Sequence, residues 1–235
     1  MNETLDYADF DVLTFDCYGT LIDWETGLLA AMRSALGDVA EDDELLGAYG
    51  RYEAAAEAGP YRRYREVLAA GLRGVAAELG VEVSDDAAER FGGSVADWPA
   101  FPDSTDALRR LAARYRLGVL TNCDDDLFAA SSARLGVPFD WVVTAEQVGA
   151  YKPASAHFEE LFRRLDAVGI ARDRVLHVAQ SRYHDHVPAQ RLGLRSVWID
   201  RRHDRPGSGA TPEADVAPDA RFPSMAAFAA AADRG

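Results

Sequence analysis

Lysine is almost absent from this sequence. Lys152 is the only one among 25 Lys and Arg residues, which leaves 24 arginines. Genome bias and adaptation to salt both produce such a composition. An ammonium retained where every other cationic position is a guanidinium marks Lys152 for chemistry, because the two groups are not interchangeable. Positive charge as a whole is scarce. The formal net charge of −14 excludes a surface built for nucleic acid, where clustered Lys and Arg are needed. The two cysteines, Cys17 and Cys123, are too few for a disulfide framework and read as small buried thiols in a reduced, cytoplasmic protein. No run approaches the roughly 20 apolar residues of a membrane span, and the N-terminus lacks a basic region followed by an apolar one. A membrane location is not expected.

What is present suits a globular α/β protein. With 48% hydrophobic residues in 235, the chain can bury a sizeable core. The stretch from Phe10 to Leu21 is the centre of the design: a short apolar run of buried-strand character that ends in Asp16. A carboxylate at the carboxyl end of such a strand lies where open α/β sheets place their chemistry. Gly19 permits a sharp turn, and Thr20 adds a hydroxyl nearby.

From about Trp24 to Ala96 the character becomes helical. Leu28, Leu29, Met32 and Leu36 recur at helical spacing, as do Val67, Leu68, Leu72, Val75 and Leu79. Breaks at Gly37-Asp38, Gly59-Pro60, Gly80-Val81 and Gly92-Gly93 divide the segment. After Trp98-Pro99, with Asp103 or Ser104 as N-cap for a helix over 106–114, strands and helices alternate. Strands are expected at 117–121, 141–143, 174–179 and 196–199; helices at 127–135, 156–165, 187–192 and 224–232. Residues 201–218 read as a loop. The fold class is therefore α/β: a Rossmann-like, doubly wound parallel sheet, with residues 1–23 and 97–235 as core and 24–96 as an inserted helical domain.

Further candidates fall at the ends of these strands. Thr121 and Asn122 offer a hydroxyl and an amide that can hold an anionic group; the alternative is that Asn122 or Asp124 caps the following helix. Lys152 precedes Pro153 and a helix. Asp185 stands between His184 and His186 at a loop-to-helix junction, and His177 lies inside an apolar strand as a core histidine.

Asp16-Cys17-Tyr18-Gly19-Thr20 resembles the first motif of the haloacid dehalogenase superfamily, whose first aspartate is a nucleophile. Leu120-Thr121-Asn122 is similar to its second motif and Lys152-Pro153 to its third. Residues 175–186 align with its final motif. Most phosphatases of the superfamily carry a general acid where this chain has Tyr18, and a Mg²⁺-binding carboxylate where it has Gln180. An aromatic at position 18 is similar to the 2-haloacid dehalogenase branch. There a tyrosine usually follows the lysine by six positions; here Phe158 occupies that place.

The resemblance covers nearly the whole chain. It implies metal-independent and cofactor-free hydrolysis of a 2-haloalkanoic acid through an aspartyl ester on Asp16. Thr20, Thr121, Asn122 and Lys152 would position the charged groups, and Asp185 would activate or orient water. The branch also implies an arginine in the helical insert for the substrate carboxylate, Arg51 by position, with Arg62, Arg63 and Arg65 as rivals. Tyr18, Phe158, Ser181 and Tyr183 complete the expected substrate contacts. The expected partner is a small carboxylic acid, not nucleic acid or membrane; a homodimer is left open. An atypical Mg²⁺-dependent phosphatase and a non-catalytic binding protein of the same fold remain the alternatives.

Overall fold

The computed structural model describes residues 5–204 and 211–234. Six strands form one sheet in the order β3-β2-β1-β4-β5-β6, every pair parallel: β1 (Val12–Phe15), β2 (Arg116–Thr121), β3 (Trp141–Thr144), β4 (Val175–Ala179), β5 (Arg195–Ile199) and β6 (Ala220–Phe222). The chain runs outward from β1 to one edge, then returns to β4 and runs to the other. The β1/β4 seam is thus the topological switch point, where such sheets open a crevice beyond their strand ends. All four residues of β1 are fully buried, as a central strand covered on both faces requires.

Four helices stand between β1 and β2: α1 (Trp24–Leu36), α2 (Asp42–Glu57), α3 (Tyr64–Leu79) and α4 (Asp85–Gly92). Leu28, Met32 and Leu36 of α1 are buried along one face, as are Val67, Leu68, Leu72 and Val75 of α3. Gly27 lets α1 lie flat on the Trp98 ring: a Cβ there would come within 2.4 Å of the indole. The remaining helices are α5 (Ser104–Ala112), α6 (Asp125–Leu135), α7 (Ala145–Val148), α8 (Ala156–Asp166), α9 (Val187–Arg191) and α10 (Met225–Ala232). No helix among the described residues is long and apolar enough to cross a membrane.

Two differences from the sequence reading, β6 and the cap made by Asp124, have physical causes. β6 is an edge strand of three residues, too short to show a period. Of the loop expected over 201–218, residues 205–210 lie outside the described residues. Asp124 caps a helix, but not the one that follows it. Its Oδ1 accepts the Tyr64 N–H at 2.7 Å and its Oδ2 accepts the Arg65 N–H at 3.2 Å, so the core caps α3 of the insert. The Arg65 guanidinium adds a hydrogen bond to Asp124 and another to Asp126, and the Tyr151 hydroxyl donates to the Arg62 carbonyl.

Candidate active site

Asp16 follows β1 directly and stands at the switch point, in a cavity closed on the other side by α1 to α3. The turn beyond it depends on Gly19, whose φ of +92° is closed to residues with a Cβ. Thr20 Oγ1 donates to Asp16 Oδ2 at 2.8 Å and accepts the Gln180 N–H at 2.9 Å, which ties the ends of β1 and β4 together.

Lys152 occupies the centre of the site. Its side chain is 1% exposed, and Nζ donates to Asp16 Oδ1 at 2.9 Å, Asp185 Oδ1 at 2.6 Å and the Leu120 carbonyl at 2.8 Å. All three N–H groups are thereby used. Burial works against its charge, yet Asp16 and Asp185 together carry its pKa above the ordinary lysine value. Burial raises the pKa of Asp16 more than Lys152 lowers it. Asp185 is fully buried too, but Lys152 and His177 hold it well below the usual carboxylate range.

His177 belongs to this assembly. Its Nε2 lies 3.0 Å from Asp185 Oδ1 and its Nδ1 2.9 Å from Thr14 Oγ1. A carboxylate only accepts, so Nε2 carries a proton toward Asp185, and Nδ1 pairs with the Thr14 hydroxyl. A hydrogen-bonded chain therefore runs Thr14–His177–Asp185–Lys152–Asp16 across the two central strands. Asp185 Oδ2 is buried without a partner among the described residues, an acceptor left for a group that enters the cavity.

Of the other expected residues, Asn122, Tyr18 and Ser181 line the cavity. Asn122 spends its amide on the backbone of Lys152 instead of an anion: Oδ1 accepts the Lys152 N–H at 2.7 Å and Nδ2 donates to the Lys152 carbonyl at 3.1 Å. The Tyr18 hydroxyl pairs with Ser131 Oγ at 3.0 Å, and burial pushes its pKa far up, so it holds its proton. Ser181 Oγ accepts the His184 N–H at 2.9 Å and shapes the π-helical turn Arg182–His186 that carries Asp185. Thr121 is buried beside the site, with a hydroxyl that has no partner among the described residues and does not line the cavity.

Three expected substrate contacts are corrected. Arg51 points out of the insert, 63% exposed, and pairs with Glu78 at 2.7 Å. Its rivals Arg63 and Arg65 pair with acidic residues of the core, and Arg62 lines no part of the cavity. Phe158 is fully buried, and its ring meets the His177 ring edge-on at 5.1 Å; without a hydroxyl it is a core residue backing the imidazole. Tyr183 is exposed, packs against the His184 ring and does not line the cavity.

Residues the sequence reading did not select include His177, Trp24 and, from α2, Glu53 and Glu57; the last three line the cavity. The spacing of Glu53 and Glu57, one helical turn apart and pointing the same way, is the signal that identifies the pair. His184 also faces the cavity, whereas His186 is buried with Nε2 donating to the Ala179 carbonyl at 3.0 Å.

The donor set does not fit a divalent cation. Asp16 and Asp185 have committed oxygens to Lys152, and a neutral amide stands at Gln180 where a third carboxylate would be needed. Among the described residues no three His, Cys, Asp or Glu side chains converge as metal ligands.

Fold and site together define a doubly wound α/β hydrolase with a buried carboxylate–ammonium–carboxylate centre. More narrowly, the chain belongs to the haloacid dehalogenase-like hydrolases, whose family model matches residues 10–179. It is 26% identical over 164 residues to an (S)-2-haloacid dehalogenase of Pseudomonas putida, covering 68% of each chain. It is also 26% identical over 215 residues to (S)-2-haloacid dehalogenase H-109 of the same species, covering 87% of this chain and 92% of that one. Its fold matches an L-2-haloacid dehalogenase of Xanthobacter autotrophicus with chloropropionic acid covalently bound. There the TM-score is 0.78 at 19% identity, over 96% of this chain and 99% of that one.

Proposed function

We propose that this chain hydrolyses the carbon–halogen bond of a small 2-haloalkanoic acid through an ester on Asp16, without metal. The observation that carries this reading is the pairing of Lys152 with both Asp16 and Asp185 beside Tyr18, whose hydroxyl is paired with Ser131 and whose raised pKa makes it a poor proton donor to a leaving group. An alkoxide leaving group needs a proton; a halide does not.

An oxygen of Asp16 attacks the halogen-bearing carbon. The carbon–halogen bond breaks with its electron pair on the halide, and inversion occurs at carbon. Lys152 opposes the burial that favours the neutral form of Asp16 and offsets the charge of Asp185 throughout. The backbone N–H groups of Cys17 and Tyr18 donate to no other group among the described residues, so they are available to the substrate carboxylate. Water held by Asp185 Oδ2 then attacks the ester carbonyl carbon and gives a proton to Asp185. As the bond to the ester oxygen breaks, that proton passes to the departing alkoxide, releasing the 2-hydroxy acid, and Asp16 returns to its carboxylate by losing a proton to solvent. Because its pKa is depressed, Asp185 acts mainly by orienting the water and by accepting its proton as the new bond forms. The names of the relatives support the same substrate class and the (S) enantiomer.

The test is halide release from each enantiomer of 2-chloropropionate in EDTA. Single-turnover reaction in heavy-oxygen water follows, with mass analysis of the peptide that contains Asp16. Release from the (S) form with label in Asp16 is expected. Release that requires Mg²⁺, or label only in the product, would overturn the ester mechanism.

A further inference from the structure

The insert brings acids, not a guanidinium, to the wall opposite the nucleophile. Glu53 and Glu57 of α2 stand one turn apart and both line the cavity. Glu53 Oε1 accepts the hydroxyl of Tyr49 at 3.1 Å and that of Tyr64 at 2.8 Å, the surroundings of an ionised carboxylate. Glu57 accepts no hydrogen bond among the described residues. Its side chain is 11% exposed, and the nearest basic atom, His184 Nε2, is 3.8 Å from Oε2, too far to bond.

The charged and titratable groups that face Glu57 are few. Glu53 comes from its own helix, Tyr64 from α3, and His184 from the π-helical turn. Across the cavity stand Asp16, Asp185 and Lys152, whose ammonium is fully engaged. Two half-buried carboxyls one turn apart in the same cavity cannot both be ionised without a penalty. Burial raises the pKa of Glu53, and the two tyrosine hydroxyls oppose it; Glu57 has no such donors and is raised further, so the proton is held more firmly on Glu57. Burial, reinforced by the charge on Glu53, pushes the Glu57 carboxyl well above its ordinary pKa.

Displacement at carbon is in line, so the halogen leaves on the side away from Asp16, toward this wall. We propose that Glu57, as the neutral acid, binds the departing halide by donating its carboxylic O–H to it. Glu57 keeps its proton, since a halide is too weak a base to take it; the electron pair of the broken bond stays on the halogen. This makes Glu57 a catalytic residue of the dehalogenation proposed above, on which the inference rests.

The experiment compares kcat/KM for 2-chloro-, 2-bromo- and 2-iodopropionate in the wild type, Glu57→Ala and Glu57→Gln. It adds anomalous diffraction from crystals soaked in bromide. Loss of one donor to developing charge costs roughly a hundredfold. Glu57→Ala is expected to lose about that factor on the chloride and progressively less on bromide and iodide, which leave more easily. Glu57→Gln, still a neutral donor, recovers most of the loss, and bromide sits against Glu57 in wild-type crystals. Equal losses on all three substrates with a raised KM would place Glu57 on the substrate carboxylate and overturn the proposal. A Gln variant as impaired as Ala, or bromide bound elsewhere, overturns it as well. All three leave the dehalogenase reading standing. Absence of halide release from every substrate in the wild type would overturn both.

Discussion

Asn122 holds Lys152 by both edges of its amide, accepting the backbone N–H at 2.7 Å and donating to the backbone carbonyl at 3.1 Å. The ammonium is thus aimed from two sides, by three acceptors at its tip and by this clamp at its root. Asn122→Ala should lower kcat by about 10- to 100-fold through misplacement of Nζ, and stability by about 1–3 kcal/mol for the unmade hydrogen bonds. Steady-state kinetics and urea unfolding of the same samples measure both. A variant with full kcat would show that the clamp does not position the lysine.

Asp185→Asn separates the two halves of the proposed reaction. The amide keeps the shape and can still accept from Lys152, but it cannot take a proton from water. The ester on Asp16 should form and persist. Intact-protein mass spectrometry after mixing with (S)-2-chloropropionate should show the added acyl mass in the variant and not in the wild type. No adduct, with no halide burst, would remove Asp185 from the hydrolytic step.

Acid should unfold this protein through its histidines. His157 and His186 are completely buried, and burial lowers their pKa to about 3 and about 4 from the ordinary 6.5. In the unfolded chain both take up protons as the pH falls through 6.5, while the folded chain does not. The unfolded state is then the better proton binder, and stability falls with pH from about 6.5 down to about 4. Each histidine contributes roughly 1.4 kcal/mol per pH unit within that window and nothing above it. Between pH 7 and pH 5 these two rings should take about 3–4 kcal/mol from the unfolding free energy, read as the difference in pH dependence between the wild type and variants that lack them, because Glu57 acts in the opposite sense. An equal pH dependence with and without the rings would mean that they are protonated in the folded state.

Asp124 fastens the insert to the core. Asp124→Ala removes the acceptor for two backbone N–H groups at the start of α3 and for the Arg65 side chain. About 2 kcal/mol of stability should be lost. Limited proteolysis should cut faster near residues 58–63, the connection between α2 and α3. An unchanged cleavage rate would show that the remaining pairs, Arg63 with Glu146 and Tyr151 with Arg62, suffice.

The sheet and the central charges are legible in the sequence because each is written locally. Asp16, Lys152 and Asp185 each end or follow a buried strand, and parallel topology brings strand ends together wherever they lie in the chain. The walls of the cavity are not written locally. Arg51 shares a helix with Glu57, and which of them faces the site depends on how α2 packs, information that no short window contains. Taken locally, Phe158 suits a substrate contact and His177 a core residue. In the fold one ring backs the other, and the imidazole supports Asp185. Asp124 shows the same limit: its capping role is plain, but the helix it caps begins 60 residues earlier.

The burial of Lys152 also governs how the protein meets amine-modifying chemistry. The sequence has one ε-amino group, and the fold seals it at 1% exposure with every N–H engaged. Acylating and methylating reagents that decorate most proteins in many places find no lysine to modify here until the structure opens. The rate at which Lys152 is labelled is therefore a clock for that opening, read at a single atom inside the site.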